Sequence, residues 1–225
     1  MSYEGFDKIK EMYQGSFAQY GDSPASLLTP KGRQELRFRA LDTFFLSGSK
    51  LRILDYGCGL GYLYDYLKSK GYNFDYVGVD IVPGFIEHCS NKLKCENARF
   101  ELITPDSLLS QDYDLVFSSG VFNIKSHEDD VLSKAYALAR VKQLFSAAKG
   151  ALVVDFLSPY VDFQQQDAQH FSVDEICTFV ALNLSRRFMV RHDLLPYEYT
   201  LIAHVDSEIQ RPENIFRVDN EARGI

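Results

Sequence analysis

The 225-residue sequence has no tryptophan, only four cysteines, and no apolar run approaching the ~20 residues that a membrane-spanning helix needs. The cysteines, Cys58, Cys89, Cys95 and Cys177, form no C-x-x-C pair, and no histidine stands at zinc-ligand spacing from them. A disulfide scaffold and a structural zinc site are therefore not expected. Isolated thiols suit a reducing compartment, so a cytoplasmic setting is expected. Basic residues are outnumbered, 24 Lys and Arg against 31 Asp and Glu, for a formal charge of −7. Such a chain has no general attraction for phosphate backbones, and nucleic acid is not an expected partner. The opening residues MSYEGFDKIKEM are polar and carry acids, unlike a secretory leader.

Apolar residues make up 46% of the chain, enough for one substantial core. From residue 50 onward two kinds of segment alternate. Short β-rich runs occur at 51–56, 74–80, 98–103, 113–119 and 151–157, with helix-period runs between them. Leu60, Leu63, Tyr64 and Leu67 repeat at helical spacing before Gly71, and Pro83 opens a helix with Ile86, Cys89 and Leu93 on one face. A longer helix is expected from Ser126 to Gly150, burying Val131, Ala135, Leu138, Phe145 and Ala148. Near-continuous apolar strands separated by helices predict a parallel sheet covered on both faces.

The last third differs. Ser172 and Glu175 form a capping-box pattern for a helix over 171–185. Two strand-like runs, 187–195 and 198–206, are then separated only by Pro196 and Tyr197, too short a link for a parallel crossover. They predict a closing hairpin. The expected fold is α/β: a doubly wound, seven-stranded, mostly parallel sheet with an antiparallel last strand. Residues 1–49 would form a helical cap, 50–206 the core of the same single domain, and 207–225 an extension.

The segment ILDYGCGLGYL (53–63) places an acid and then three glycines at alternate positions at the end of the first strand. A dinucleotide site uses G-x-G-x-x-G, with a pyrophosphate at the helix N-terminus. Here Gly57, Gly59 and Gly61 are one residue tighter and follow Asp55. A carboxylate beside the loop repels diphosphate and attracts an ammonium group.

Asp55-Tyr56-Gly57-Cys58-Gly59-Leu60-Gly61 resembles the first motif, [DE]-x-G-x-G-x-G, of class I S-adenosylmethionine (SAM)-dependent methyltransferases. The resemblance extends over about residues 30–206 and implies the Rossmann-like methyltransferase fold, with SAM as cofactor. It implies that Asp55, Gly57, Cys58, Gly59 and Gly61 hold the methionine part, and that Asp80, at the end of the second strand, binds the ribose hydroxyls. Ile81 would flank the adenine, and Asp106 with Ser107 would meet its amino group; helix capping is the alternative reading of these two. Ser119 and Gly120, past the fourth strand, complete the expected cofactor contacts. In the cap, Arg37 could pair with the SAM carboxylate, and Tyr20 is a further candidate.

Asn123, in SSGVFNIK (118–125), is the candidate for orienting an acceptor, with a turn role as its alternative. His192 is the candidate general base. His127-Glu128-Asp129-Asp130 looks like a metal cluster, but acids in the first turn of a helix answer its dipole, so no metal is expected. The fourth strand lacks the N/D-P-P-Y/F-W motif of amino-methylating nucleic-acid enzymes. SGVFN and HDLLPYEYT (192–200) are similar to small bacterial methyltransferases linked to surface glycans and secondary metabolites. They imply a small-molecule or glycan-precursor acceptor. Two other readings stay open: a SAM-binding partner protein without catalysis, and an NAD(P)-dependent oxidoreductase.

Overall fold

The computed structural model describes residues 4–29, 33–94, 96–105, 107, 109–110 and 112–205. Asp106, Cys95 and the proposed 207–225 extension lie outside the described residues. Seven strands form one sheet: β1 (Leu51–Tyr56), β2 (Phe74–Asp80), β3 (Ala98–Leu102), β4 (Tyr113–Ser118), β5 (Ala148–Leu157), β6 (Phe188–Leu195) and β7 (Glu198–His204), in the order β3-β2-β1-β4-β5-β7-β6. The first five pair in parallel, and β7 runs antiparallel to both β5 and β6. After β1 the chain steps outward to β3, then returns to lay β4 on the other side of β1. That reversal opens a crevice beyond the carboxyl ends of β1 and β4.

Helices cover both faces. On one side, α5 (Asp130–Ala147) and α6 (Val173–Asn183) press Ala137, Val141, Leu144, Ile176 and Val180 onto Leu54, Val116, Leu152 and Val154. On the other, α3 (Tyr62–Ser69) and the 3-10 turn Arg39–Phe45, which continues α2 (Arg33–Phe38), cover Ile53, Leu115, Phe117 and Val153. Every inner strand is buried on both faces, which is why these runs read as almost uninterrupted apolar sequence.

The helix before β5 corrects the reading from sequence. It starts at Asp130, not Ser126, because Asp129 caps it by accepting a hydrogen bond from Leu132 N at 2.8 Å. Val131 is 76% exposed and Ala135 is exposed; the buried stripe is Ser133, Ala137, Arg140, Val141, Leu144 and Ala147. A stripe that includes a serine and an arginine is invisible to a search for apolar residues alone. Gly150 is a strand residue and not a helix stop: β5 begins at Ala148, and a Cβ at Gly150 would stand 2.6 Å from the Asp114 carbonyl oxygen of β4. The Ser172 cap is present, with Glu175 N donating to its hydroxyl at 3.1 Å, and the hairpin closes through Pro196 and Tyr197.

The N-terminal helix α1 (Glu4–Tyr20) lies across the crevice. Its first turns meet α5, Phe6 packing on Tyr136 at 4.8 Å. Its later turns meet α4 (Pro83–Lys92), where Tyr13 and Phe17 pack on Phe85 at 6.1 and 5.4 Å. A helix of 17 residues is ~25 Å long, the right span to bridge those two supports. Asp22 fixes its far end by accepting from Tyr62 Oη at 2.9 Å and pairing with Lys92 at 3.2 Å.

Candidate active site

The loop after β1 turns back on itself through left-handed glycines. Gly57, Gly59 and Gly61 have φ of 80°, 53° and 75°, a region that costs other residues about 1–2 kcal/mol each. Gly57 N and Cys58 N both donate to Val79 O, at 2.8 and 3.0 Å, so the loop is sewn to the end of β2. Asp80 completes the seam. Its two carboxylate oxygens accept from Gly59 N and Val82 N, both at 2.9 Å. The Ile81 backbone donor also stabilises this carboxylate. Burial pushes Asp80 up from 3.8 to about 6, against the pull of these backbone donors.

Asp55 is enclosed more deeply than its position beside the loop suggested. It points into the sheet, 3% exposed, and accepts from Tyr76 Oη at 2.5 Å. Burial raises it to about 7, against the Tyr76 hydrogen bond, and the Asp80 charge adds to the rise. The acid nearest the loop backbone is therefore Asp80. Cys58 is also buried, and burial lifts its thiol well above the usual range. Ile81 is half-buried next to Asp80. Ser107 closes a turn: its hydroxyl accepts from Thr104 N at 2.9 Å, and its own N donates to Thr104 O at 3.0 Å.

Beyond β4 an acid that the motif search did not single out organises the loop. Asp155, on β5, accepts from Ser119 Oγ and Gly120 N, both at 2.7 Å. It also lies 3.7 Å from Arg37 Nε. Arg37 donates to Glu198 of β7 through Nε and Nη2, each at 2.6 Å. All three side chains are at most 9% exposed. Burial works against the Arg37 charge, yet Asp155 and Glu198 outweigh it and hold its pKa above normal. For Glu198 burial wins, and its pKa is raised despite Arg37. Arg37 is thus already neutralised by the chain's own carboxylates, which leaves it less free for a cofactor carboxylate than the sequence suggested. Its Nη1 still stands 3.3 Å from where a Cβ on Gly120 would be, at the crevice. Asp155→Ala should free Ser119 and Gly120 and strip Arg37 of one counter-charge, a loss of ~3–5 kcal/mol in urea unfolding.

Tyr13 reaches in from α1 close enough to feel both Asp80 and Arg37; burial foremost, then Asp80, pushes its hydroxyl up to about 12. Tyr20, by contrast, is 49% exposed at the end of α1. The Ser118 hydroxyl at the end of β4 and the Asn123 side-chain oxygen just past it are buried without a hydrogen-bond partner among the described residues. His192 is not brought to them. It is exposed on β6, with Nε2 at 3.2 Å from Pro196 O and its ring against Tyr199. In the sheet order β6 is three strand spacings from β4, ~14 Å. The lone acids inside ALVVDFL and at the head of EYTLIAH were the sequence signals for Asp155 and Glu198.

These features fit a nucleoside carrying positive charge. The left-handed glycines hold main chain against the end of β2, where the buried Asp80 carboxylate stands. Among the described residues no helix is long and apolar enough to cross a membrane.

Comparison with known proteins agrees. Residues 53–142 match the family described as a methyltransferase domain. The Mycobacterium tuberculosis protein Rv1506c, named for methyltransferase function, is 26% identical over 67% of this chain and 90% of its own length. The malonyl-[acyl-carrier protein] O-methyltransferase of Acetivibrio thermocellus is 33% identical over 51% of this chain and 40% of that enzyme. In fold, the chain resembles the magnesium protoporphyrin IX methyltransferase of Synechocystis PCC 6803 with bound SAM, at a TM-score of 0.63 and 15% identity over 91% of this chain and 98% of that one. Residues 53–142 thus match a methyltransferase domain, and the chain shares the fold of a SAM-bound methyltransferase.

Proposed function

We propose that residues 1–206 work as one domain that methylates a small-molecule or carbohydrate-linked acceptor in the cytoplasm. The observation that carries this reading is the placement of α1, which roofs the crevice beyond β1 and β4 with Phe6, Tyr13 and Phe17. A roofed crevice suits a compact acceptor better than a polymer. The absence of a basic excess in the chain supports the same choice.

In this reading Asp80 accepts the ribose hydroxyls, Ile81 flanks the adenine, Ser107 with its neighbour Asp106 meets the adenine edge, and Gly57, Cys58, Gly59 and Gly61 pass main chain along the amino-acid portion. When bound, SAM supplies an electrophilic methyl group on a sulfonium, open to in-line attack by an acceptor lone pair. The chain's contribution is alignment and exclusion of water, which together are worth up to ~7–11 kcal/mol. Ser119 and Gly120, clamped by Asp155, fix the loop that faces the acceptor. The unpartnered amide oxygen of Asn123 is an acceptor awaiting an N–H or O–H, and we assign it the orienting role. His192, on the far edge strand, is not part of this arrangement.

The test is methyl transfer from labelled SAM into a panel of sugars, amines and carboxylates. Label is expected in at least one class, reduced more than tenfold by Asn123→Ala. Tight SAM binding with no transfer to any class would instead support a non-catalytic SAM-binding protein.

A further inference from the structure

Arg140 is a buried cation without a counter-ion among the described residues. It projects from α5, is 4% exposed, and among the described residues donates one hydrogen bond, from Nη1 to Ser107 O at 3.3 Å. Its guanidinium lies over the Tyr56 ring, 5.8 Å from the centroid, and its Nε has no partner among the described residues. No ion pair to it exists among the described residues. The contrast with Arg37, which two carboxylates hold, is direct. A guanidinium taken out of water without a compensating anion is costly, and a ring face offsets only part of that cost. The chain maintains an expense of this kind where a ligand brings the missing charge.

Arg140 lines a cavity of about 40 Å³. Tyr56, the last residue of β1, and Val121, just past β4, line it as well, and Phe6 and Ile9 of α1 close it. It therefore sits at the point where the strand order reverses, the place at which ligands of such sheets bind. At the ~30 Å³ that one water takes in the liquid, this volume holds about one water or a single polar group of similar bulk, such as one carboxylate. Burial pushes the Tyr56 hydroxyl up to about 12, so it remains a donor. A fork of N–H donors and a phenol converge on a space of that size.

We propose that this cavity is the subsite for a carboxylate carried by the methyl acceptor, with Arg140 as its counter-ion and Tyr56 as a second donor. The proposal rests on the methyltransferase reading and narrows it to anionic acceptors. The carboxylate is an anchor: oxygen lone pairs held by a guanidinium are poor nucleophiles, so another atom of the acceptor takes the methyl group.

The full chain saturated with S-adenosylhomocysteine (SAH) would be titrated calorimetrically with succinate and with succinamide. Succinate is expected to bind, succinamide to bind at least tenfold more weakly, and Arg140→Met to weaken succinate at least tenfold while SAH affinity stays within twofold. Removing an uncompensated buried charge should not lower the melting midpoint of Arg140→Met. If that variant does fail to fold, Arg140→Lys, which keeps the charge and loses the fork, is expected to weaken succinate several-fold. Equal binding of succinate by wild type and variants, equal binding of succinamide, or displacement of SAH by succinate would each overturn the proposal. Failure of wild type to bind SAH would count against the cofactor reading alone, because succinate can be titrated against the unliganded chain.

Discussion

Gly59→Val is expected to lower SAM and SAH affinity by about a hundredfold or more, with the far-ultraviolet circular dichroism unchanged. Gly59 has a φ of 53°, where a β-branched residue is a true outlier. Holding valine there costs about 1–2 kcal/mol. Its Cβ would stand 2.8 Å from Leu27 Cδ2, so the side chain also pushes on the turn beneath α1. If the loop escapes by rotating, Gly59 N leaves Asp80, and a hydrogen bond to a charged acceptor worth ~1.5–3 kcal/mol is lost. Together these reach ~3–5 kcal/mol, and each 1.4 kcal/mol is about tenfold in affinity. Fluorescence or calorimetric titration measures it. A change smaller than tenfold would mean that the ligand does not approach this main chain.

The second large effect concerns pH. Asp80 titrates at about 6 and Asp55 at about 7 in the folded chain, both raised from 3.8, chiefly by burial. A cationic nucleoside favours the ionised carboxylates, so protons compete with it. SAM affinity should fall by about tenfold per pH unit below pH ~6, and binding near that pH should release protons. SAH, which lacks the sulfonium charge, should release fewer. Calorimetry in two buffers of different ionisation enthalpy counts the protons. A flat profile through this range would show that neither acid senses the ligand.

The same shifts determine how the unliganded chain responds. A carboxyl whose folded pKa lies above its unfolded value binds more protons folded than unfolded. Its stabilising contribution is complete below about 3.8 and is lost as pH rises through about 6 for Asp80. Asp80→Asn removes that contribution. The melting midpoint of the unliganded variant should therefore gain on wild type as pH rises from about 4 to about 7, while its SAM affinity drops. Asp112 and Asp193 are shifted the other way by Lys149 and Arg191, and both variants share them, so they cancel in the comparison.

How much of this was legible in the sequence follows from the range of each interaction. The inner strands could be read because a strand buried on both faces must be apolar throughout. The hairpin could be read because two residues cannot carry a crossover. The glycine loop was legible because left-handed backbone leaves its mark in composition, and Gly57, Gly59 and Gly61 all have positive φ.

The polar framework around the crevice was not legible. Arg37 and Glu198 are 161 residues apart, and Asp155 and Ser119 are 36 apart. No local pattern announces partners that only sheet pairing brings together. Asp55 was read as an acid at the rim because its neighbours in sequence are glycines. Its actual environment is set by Tyr76 on the adjacent strand. The phase of α5 was missed for a related reason, since Ser133 and Arg140 occupy its buried stripe. A buried arginine carries no apolar signal, and its meaning appears only from what surrounds it in the fold.

The most direct test of the central claim, that the loop and Asp80 are built for a cationic nucleoside and not for a diphosphate, is a calorimetric titration of the full chain at neutral pH with SAM and separately with NAD. The account predicts one SAM per chain, no heat from NAD, and a loss of SAM affinity of about tenfold or more in Asp80→Ala, from at least one charged hydrogen bond of ~1.5–3 kcal/mol. Saturable binding of NAD, or SAM affinity indifferent to Asp80, would contradict it.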